Sequence, residues 1–324
     1  MNIQGFAFGI GTFGSCPDRF CTSGYKNNLN IEETIGKISS LKEITGVMIN
    51  FPNPLNEKTA SNVKKMLHEN GLRVSSCDAD LYTQAEFALG SLTSENEKVR
   101  NKAIDICKRA MDMAENMNAE TMNLWPGQDG FDYSFQTDYY KQWQLLIDAI
   151  NKIGNHNPRV KLCLEYKPRE PRTHLTINNA GVALHLAQMS GLPNVGVTID
   201  LGHSFNCKES PGNTVAMLDL YKKLFTVHLN DNYRDWDDDM VVGTVHFWET
   251  LEFFYYLDRS NYEGWLNIDI YPYRENPSVA CQTSIDNINF MLKIVDKIDS
   301  IKTLKNFQME ADALGAFHYI KSLV

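Results

Sequence analysis

Four short apolar runs in the second half of the chain close on ionisable side chains. VKLCLE ends in Glu165 with Lys167 two residues on, VGVTID ends in Asp200 with His203 three residues on, FTVHL contains His228, and WLNID ends in Asp269. Three carboxylates gathered in a partly desolvated site repel one another, so a divalent cation is their natural neutralising partner. A donor set of oxygens with one nitrogen suits Mn2+, Mg2+ or Co2+ better than a thiolate-selecting ion, and Mn2+ is placed first. Taken singly, any one of these carboxylates reads equally as a helix N-cap or an ion-pair partner; their common position at the ends of successive runs points to a shared site. The stretch NDNYRDWDDDMVVG adds Asp231, Asp235, Asp237, Asp238 and Asp239. Asp235 and Asp238 read as solvated. Asp237 and Asp239, two apart, point the same way from an extended loop and with His203 would hold a second ion sharing Glu165. One or two ions are therefore expected.

Residues from distant parts of the chain meet only if the fold brings strand ends together. Short apolar runs alternate with amphipathic stretches throughout, the pattern of repeated βα units around a parallel sheet. Strands are expected over Gly5 to Ile10, Gly46 to Phe51, Arg73 to Cys77, Thr121 to Trp125, Val160 to Glu165, Val195 to Asp200, Phe225 to Leu229 and Trp265 to Ile270. Three- and four-residue periodicity predicts helices over Ile31 to Leu41, Lys58 to Glu69, Glu95 to Asn116, Asp138 to Ile153, Ile177 to Ser190, Asn213 to Lys223, Val245 to Leu257 and Cys281 to Val295. Eight units of each kind predict an α/β fold, a (β/α)8 TIM barrel over residues 1–300, followed by a C-terminal helical extension over 301–324 read as one helix from Lys302 to Leu323. An open doubly wound sheet is the alternative, but no Gly-x-Gly-x-x-Gly follows a predicted strand. In such barrels the site lies at the C-terminal strand ends. Trp125, Phe6, Phe8 and Phe51, near other strand ends, are expected as an apolar wall of that site.

At 324 residues and 43% hydrophobic, the chain can bury a sizeable core. Its net charge of -9 disfavours a nucleic-acid partner, which would call for a basic excess. Seven scattered cysteines without a C-x-x-C pair suggest reduced thiols in a cytoplasmic protein rather than a disulfide framework. No stretch approaches the roughly 18 apolar residues of a membrane span, and the N-terminus lacks the layout of a secretory signal.

The quartet and its surroundings resemble the xylose isomerase-like TIM-barrel superfamily, and within it xylose and L-rhamnose isomerases. Glu165-Tyr-Lys-Pro-Arg-Glu-Pro-Arg172 resembles their E-x-K-P-x-E-P-R stretch, Asp200-Leu-Gly-His203 their [ED]-x-G-H element, Asp237-Asp-Asp239 with Gly243 their D-x-D-L-x-x-G element, and Asp269-Ile-Tyr-Pro272 their D-Y-K-P. The resemblance implies a metal-dependent interconversion of an unphosphorylated aldose and ketose by hydride shift. Glu165, Lys167 and His203 are then the catalytic group, with Lys167 on the substrate carbonyl, and Arg172 joins the substrate contacts. It also implies an assembly: a homo-oligomer, dimer or tetramer, or a pairing with a small second subunit as in C-glycoside deglycosidases. Two departures stand out. Asn50 occupies the place of a histidine that acts on the sugar ring oxygen and cannot carry a proton as imidazole does. His228 matches L-rhamnose rather than xylose isomerases. Related barrels abstract a proton beside a carbonyl, giving epimerisation, dehydration or cleavage of an oxidised C-glycoside. Endonuclease IV, a phosphodiesterase, shares His-Leu-Asn-Asp at its seventh strand, but continues to Asp-Arg-His where this chain has Asp237-Asp-Asp239.

Overall fold

The computed structural model describes residues 1–298 and 303–324. Eight parallel strands close into a barrel in chain order: β1 (Gly5–Gly9), β2 (Ile44–Phe51), β3 (Arg73–Ala79), β4 (Thr121–Leu124), β5 (Lys161–Glu165), β6 (Val195–Asp200), β7 (Leu224–Leu229) and β8 (Trp265–Ile268), with β1 paired to both β2 and β8. The helices are α1 (Ile31–Ser39), α2 (Ala60–Glu69), α3 (Glu97–Asn116), α4 (Tyr139–Gly154), α5 (Ala180–Met189), α6 (Leu201–Asn206), α7 (Pro211–Leu220), α8 (Phe247–Arg259), α9 (Pro277–Lys297), α10 (Thr303–Met309) and α11 (Ala313–Lys321). The expected (β/α)8 barrel is present, and every expected strand coincides with an observed one.

Side chains on a strand alternate between its faces, and this parity sorts the barrel. Along β6, Val195, Val197 and Ile199 join the hydrophobic layer, whereas Gly196, Thr198 and Asp200 face the axis. The axis is filled in tiers, as such barrels require. At the floor, the Trp265 ring stands 2.5 Å from where a Cβ on Gly46 would lie, and the Phe225 ring 2.4 Å from where one on Gly196 would lie. Above these rings sits a buried polar tier including Asn123, Thr198, Thr226 and Asn267. Thr198 donates to Asn123 Oδ1 at 2.7 Å and Asn267 to Thr226 Oγ1 at 2.9 Å, which satisfies groups that burial would otherwise penalise.

Three local differences from the sequence expectation have physical causes. A small antiparallel sheet (Gly130–Phe131, Thr173–Leu175, Arg169–Glu170) folds the loops after β4 and β5 over the barrel mouth. α6 begins directly at the end of β6 because Asp200 caps it, its carboxylate accepting from the His203 backbone N–H at 2.8 Å. The tail is two helices rather than one: Ala311 takes φ +54, and Asp312 starts α11 by accepting from Gly315 N–H at 2.9 Å. Its Ala316, Tyr319 and Ile320 pack against the main core, and Phe317 lies edge-on to Trp248 of α8. Lys302 and the boundary between 300 and 301 lie outside the described residues. All seven cysteines are free, and among the described residues no helix is long and apolar enough to cross a membrane.

Candidate metal centre and active site

The C-terminal strand ends surround a cavity of about 570 Å³. Its lining includes Glu165, Lys167, Asp200, His203, His228, Asp237, Asp239 and Asp269, together with Trp125 and Asn50. Ligand atoms of Glu165, Asp200 and His228 all lie within 4.8 Å of one another. Register explains the meeting: His228 pairs with Asp200 across β6 and β7, and Glu165 with Thr198 across β5 and β6. Asp269, one residue beyond β8, is half-exposed, and its Oδ2 stands 3.5 Å from His228 Nδ1. Glu165 Oε2 approaches the same nitrogen at 3.6 Å.

A second cluster adjoins the first through Glu165. His203 Nδ1 lies 3.2 Å from Glu165 Oε1, and its Nε2 lies 3.1 Å from Asp237 Oδ2. The same Asp237 oxygen is 2.7 Å from Lys167 Nζ, which also pairs with Glu170. Asp237 and Asp239 share the cavity, yet Asp239 sits at φ +46 rather than in extended backbone, so a turn, not strand alternation, aims them together.

The electrostatics are those of a site with too many carboxylates for its burial. Burial, with the Glu165 and Asp237 charges adding to it against the opposing His203, pushes the Asp200 carboxyl up to about 7. Asp239 is raised by burial and by the Asp237 and Asp269 charges. Burial alone would lower His203 and His228, but the facing carboxylates outweigh it and hold both imidazoles well above their usual value. Burial likewise opposes the charge on Glu165 and Asp237, and their cationic neighbours prevail: His228 and His203 hold Glu165 low, and Lys167 and His203 hold Asp237 low. Lys167, against the effect of burial, is raised by Asp237 and Glu170 and stays an ammonium. Protons thus do a cation's work.

The donor set fits a divalent metal on a separate ground. Both ring nitrogens of the buried His228 lack a hydrogen-bond partner, as does His203 Nδ1. Buried imidazoles are ordinarily hydrogen-bonded; here the Nδ1 atoms of both stand 3.2 to 3.6 Å from carboxylate oxygens, as donors around a shared cation would. Beneath them Asn123 donates to Glu165 Oε2 at 2.5 Å while accepting from Thr198, fixing the carboxylate's rotation. Asn230 donates to Asp200 Oδ2 at 3.1 Å and to Asp239 Oδ1 at 3.3 Å, tying the two clusters together.

Four expected substrate contacts lie elsewhere. Phe6, Phe8 and Phe51 have the wrong parity: Gly9 and Asn50 face the cavity, so these neighbours turn outward into the core, and Phe51 meets the Arg109 guanidinium of α3. Arg172 follows the turn of the small sheet to Asp132, its Nε 2.8 Å from the carboxylate, and is largely exposed. Asn50 lines the cavity but donates to Tyr82 Oη at 2.8 Å. The Trp125 indole lies 4.8 Å from the Tyr82 ring and 4.9 Å from Lys167 Nζ, with its buried Nε1 unpartnered. Asp231 points away from the cavity, accepting from the Val245 and His246 backbone and pairing with the His246 ring at 2.8 Å. It is therefore a structural anchor, and the resemblance to the endonuclease motif ends there.

Not anticipated from the sequence are Asp78, Asn123, Asn230 and Glu170. The alternation in SSCDA and TMNLW already placed Asp78 and Asn123 on the inner face with the ligands. Burial pushes the Asp78 carboxyl up to about 7 against the nearby His228.

Comparison with known proteins bears on the fold and the family. Xylose isomerase of Thermus thermophilus is 26% identical over 217 residues, 65% of this chain. The match spans 56% of that relative's own length. A structure of L-ribulose 3-epimerase superposes with a TM-score of 0.71 at 14% identity, covering 92% of this chain and 96% of the other. D-psicose 3-epimerase from Clostridium cellulolyticum H10, solved with D-tagatose, gives 0.68 at 15% identity over 89% of this chain and 99% of the other. Residues 40–294, from the approach to β2 through nearly all of α9, match the family of xylose isomerase-like TIM barrels, and the chain belongs to that family.

Proposed function

We propose that this chain is a divalent-metal-dependent sugar isomerase that interconverts an unphosphorylated aldose and ketose. The observation that carries the reading is the pair of clusters sharing Glu165, in which a charged Lys167 reaches the second. Glu165, Asp200, His228 and Asp269 would hold one ion, Mn2+ first and Mg2+ or Co2+ as substitutes, and His203, Asp237 and Asp239 a second; bound there, the metal supplies Lewis-acid polarisation of a carbonyl and its neighbouring hydroxyl. In the reaction the C–H hydrogen leaves the hydroxyl-bearing carbon with its electron pair and joins the adjacent carbonyl carbon. The hydroxyl proton passes to the former carbonyl oxygen, and no atom is gained or lost.

The chain's own residues account for the rest. Lys167, kept protonated by Asp237 and Glu170, donates to the carbonyl oxygen as negative charge grows there. Trp125 offers a flat apolar face and one free N–H to the sugar. Acidic residues outnumber basic ones around the cavity, which repels a phosphorylated substrate. Seven free thiols support residence in the cytoplasm.

A second reading, proton transfer at the carbon beside the carbonyl, draws on Glu165 and Asp269 approaching His228 Nδ1 at 3.6 and 3.5 Å, two carboxylates about one centre. Turnover of free pentoses and hexoses by the Mn2+-loaded protein in D2O separates the two. Aldose–ketose conversion without carbon-bound deuterium is the expected result; deuterium at the reacting carbon overturns hydride transfer in favour of an enolate route.

A further inference from the structure

A second cavity, about 1110 Å³ in volume, opens beside the first. The two share wall residues: Trp236, Tyr271 and Tyr273 line both, as do Glu170 and Asp239. The outer cleft is thus an extension of the reacting site toward solvent. Its character differs from that of the inner cavity. Phe20, Tyr233, Trp236, Tyr271 and Tyr273 line it, and three of these rings face solvent: Phe20 is 80% exposed, Tyr233 64% and Trp236 48%.

The polar groups around the cleft are largely engaged. Asp18 accepts from the Phe20 and Cys21 backbone at 2.7 and 2.6 Å and from Tyr25 Oη at 2.8 Å. Glu170 is held by Lys167, Arg172 by Asp132, and Asp238 accepts from the Tyr233 backbone N–H at 3.1 Å. The Arg19 guanidinium lies 4.6 Å from the Phe20 ring centroid, the Arg274 guanidinium 5.8 Å from that of Tyr25, and Glu275 accepts from the Arg274 backbone N–H at 3.1 Å, so what meets a ligand is ring face flanked by two guanidinium groups. The Asp18 bonds also fix the loop carrying Phe20, so the exposed ring is presented from a turn already ordered. Clustered exposed aromatics beside a reaction cavity are the form of a ligand groove.

We infer that the substrate is a sugar bearing a planar aryl group at a position remote from the reacting carbonyl, the sugar filling the inner cavity and the aryl group lying among Phe20, Tyr233 and Trp236 in the outer cleft. This rests on the sugar chemistry proposed for the inner cavity. A free monosaccharide leaves the outer rings in water, whereas an aryl substituent stacks on them. Aromatic pairs contribute enough beyond area burial to predict about a tenfold gain in affinity.

The test is calorimetric binding of D-glucose and D-xylose, each free and as its 4-O-benzyl ether, and of cellobiose, to the full-length protein with Mn2+, alongside turnover of the same compounds. At least one benzyl ether is expected to bind about tenfold more tightly than its parent, and Phe20→Ala/Tyr233→Ala to abolish that preference while parent binding is unchanged. Both substituted residues are exposed and outside the inner cavity, so the variant folds and keeps the inner site. Equal or absent binding of parent and ether overturns the inference, as does cellobiose matching the benzyl ether or the double variant retaining the preference. Turnover of the parent sugars without any aryl preference sinks this inference alone. An aryl preference with no isomerisation of any compound preserves it and sinks the isomerase reading.

Discussion

Raising the pH of the metal-free protein from 5.5 to 8 should lower its thermal stability, and Mn2+ should abolish the fall. The effect is shared by Asp78, whose carboxyl burial pushes up to about 7, by Asp239, raised by burial and by the Asp237 and Asp269 charges, and by Asp200. The Asp200 carboxyl is buried among Glu165 and Asp237 and pushed up to about 7 from an ordinary 3.8. The folded chain therefore keeps a proton that the unfolded chain has lost, and stability declines as pH rises between those values. From pH 5.5 to 7 the interval is about 1.5 pH units, or about 2 kcal/mol. His203 and His228, raised above their usual value, act in the same direction, their contribution being full below about pH 6.5 and lost as pH climbs through the folded values. Glu165 and Asp237 are lowered, so what they contribute is lost only in acid, below this window. For 324 residues the unfolding entropy is about 0.7 kcal/mol per kelvin, so the Asp200 share of about 2 kcal/mol alone lowers Tm by about 3 °C, and Asp78, with the same shift, adds about as much again. Scanning calorimetry in chelator and in saturating Mn2+ at both pH values measures this directly. The Mn2+-induced rise in Tm should be at least about 3 °C larger at pH 8. Asp200→Asn, which keeps an oxygen for the α6 cap, should raise the metal-free Tm at pH 8 and remove most of the Mn2+ response. A metal-free Tm that stays level or rises with pH, or a Mn2+ shift that does not grow, refutes the crowded-carboxylate account of the site.

Two further outcomes test other parts of the centre. Asn123→Ala should weaken Mn2+ binding by about 10- to 100-fold in competition titrations, because Glu165 loses the donor that fixes its rotation. Lys167→Met should lower kcat by about 100- to 1000-fold at saturating Mn2+ in a coupled assay for ketose formation, with kcat falling far more than KM rises; an unchanged kcat removes Lys167 from the chemistry.

The barrel and its centre were largely legible because both depend on short-range pattern. A run such as VGVTID declares a strand, and parity then decides which of its residues reach the axis. The same rule explains the failures. Nearness to strand ends suggests Phe6, Phe8 and Phe51, but the inward positions of Gly9 and Asn50 send all three outward into the core. Asp78 and Asn123 obey the pattern, but a single polar residue in a strand carries little signal alone. A motif points to Arg172, while its direction is set by the hairpin joining Arg169–Glu170 to Thr173–Leu175 and by Asp132, 40 residues earlier. The break at Ala311 has no marker such as glycine or proline in the tail; it is visible only in backbone geometry.

The rings of Trp265 and Phe225 at the floor have a kinetic consequence. The cavity beneath them, lined partly by these two residues, shares no lining residue with the reacting cavity above. In the proposed reaction substrate and product would therefore share the upper mouth, each waiting on the other's departure. The isomerisation proposed for this chain, which consumes no water and has one molecule on each side of the equation, would tolerate such a dead end. It does tie the rate of each turnover to departure, so the product should compete directly with substrate in both directions.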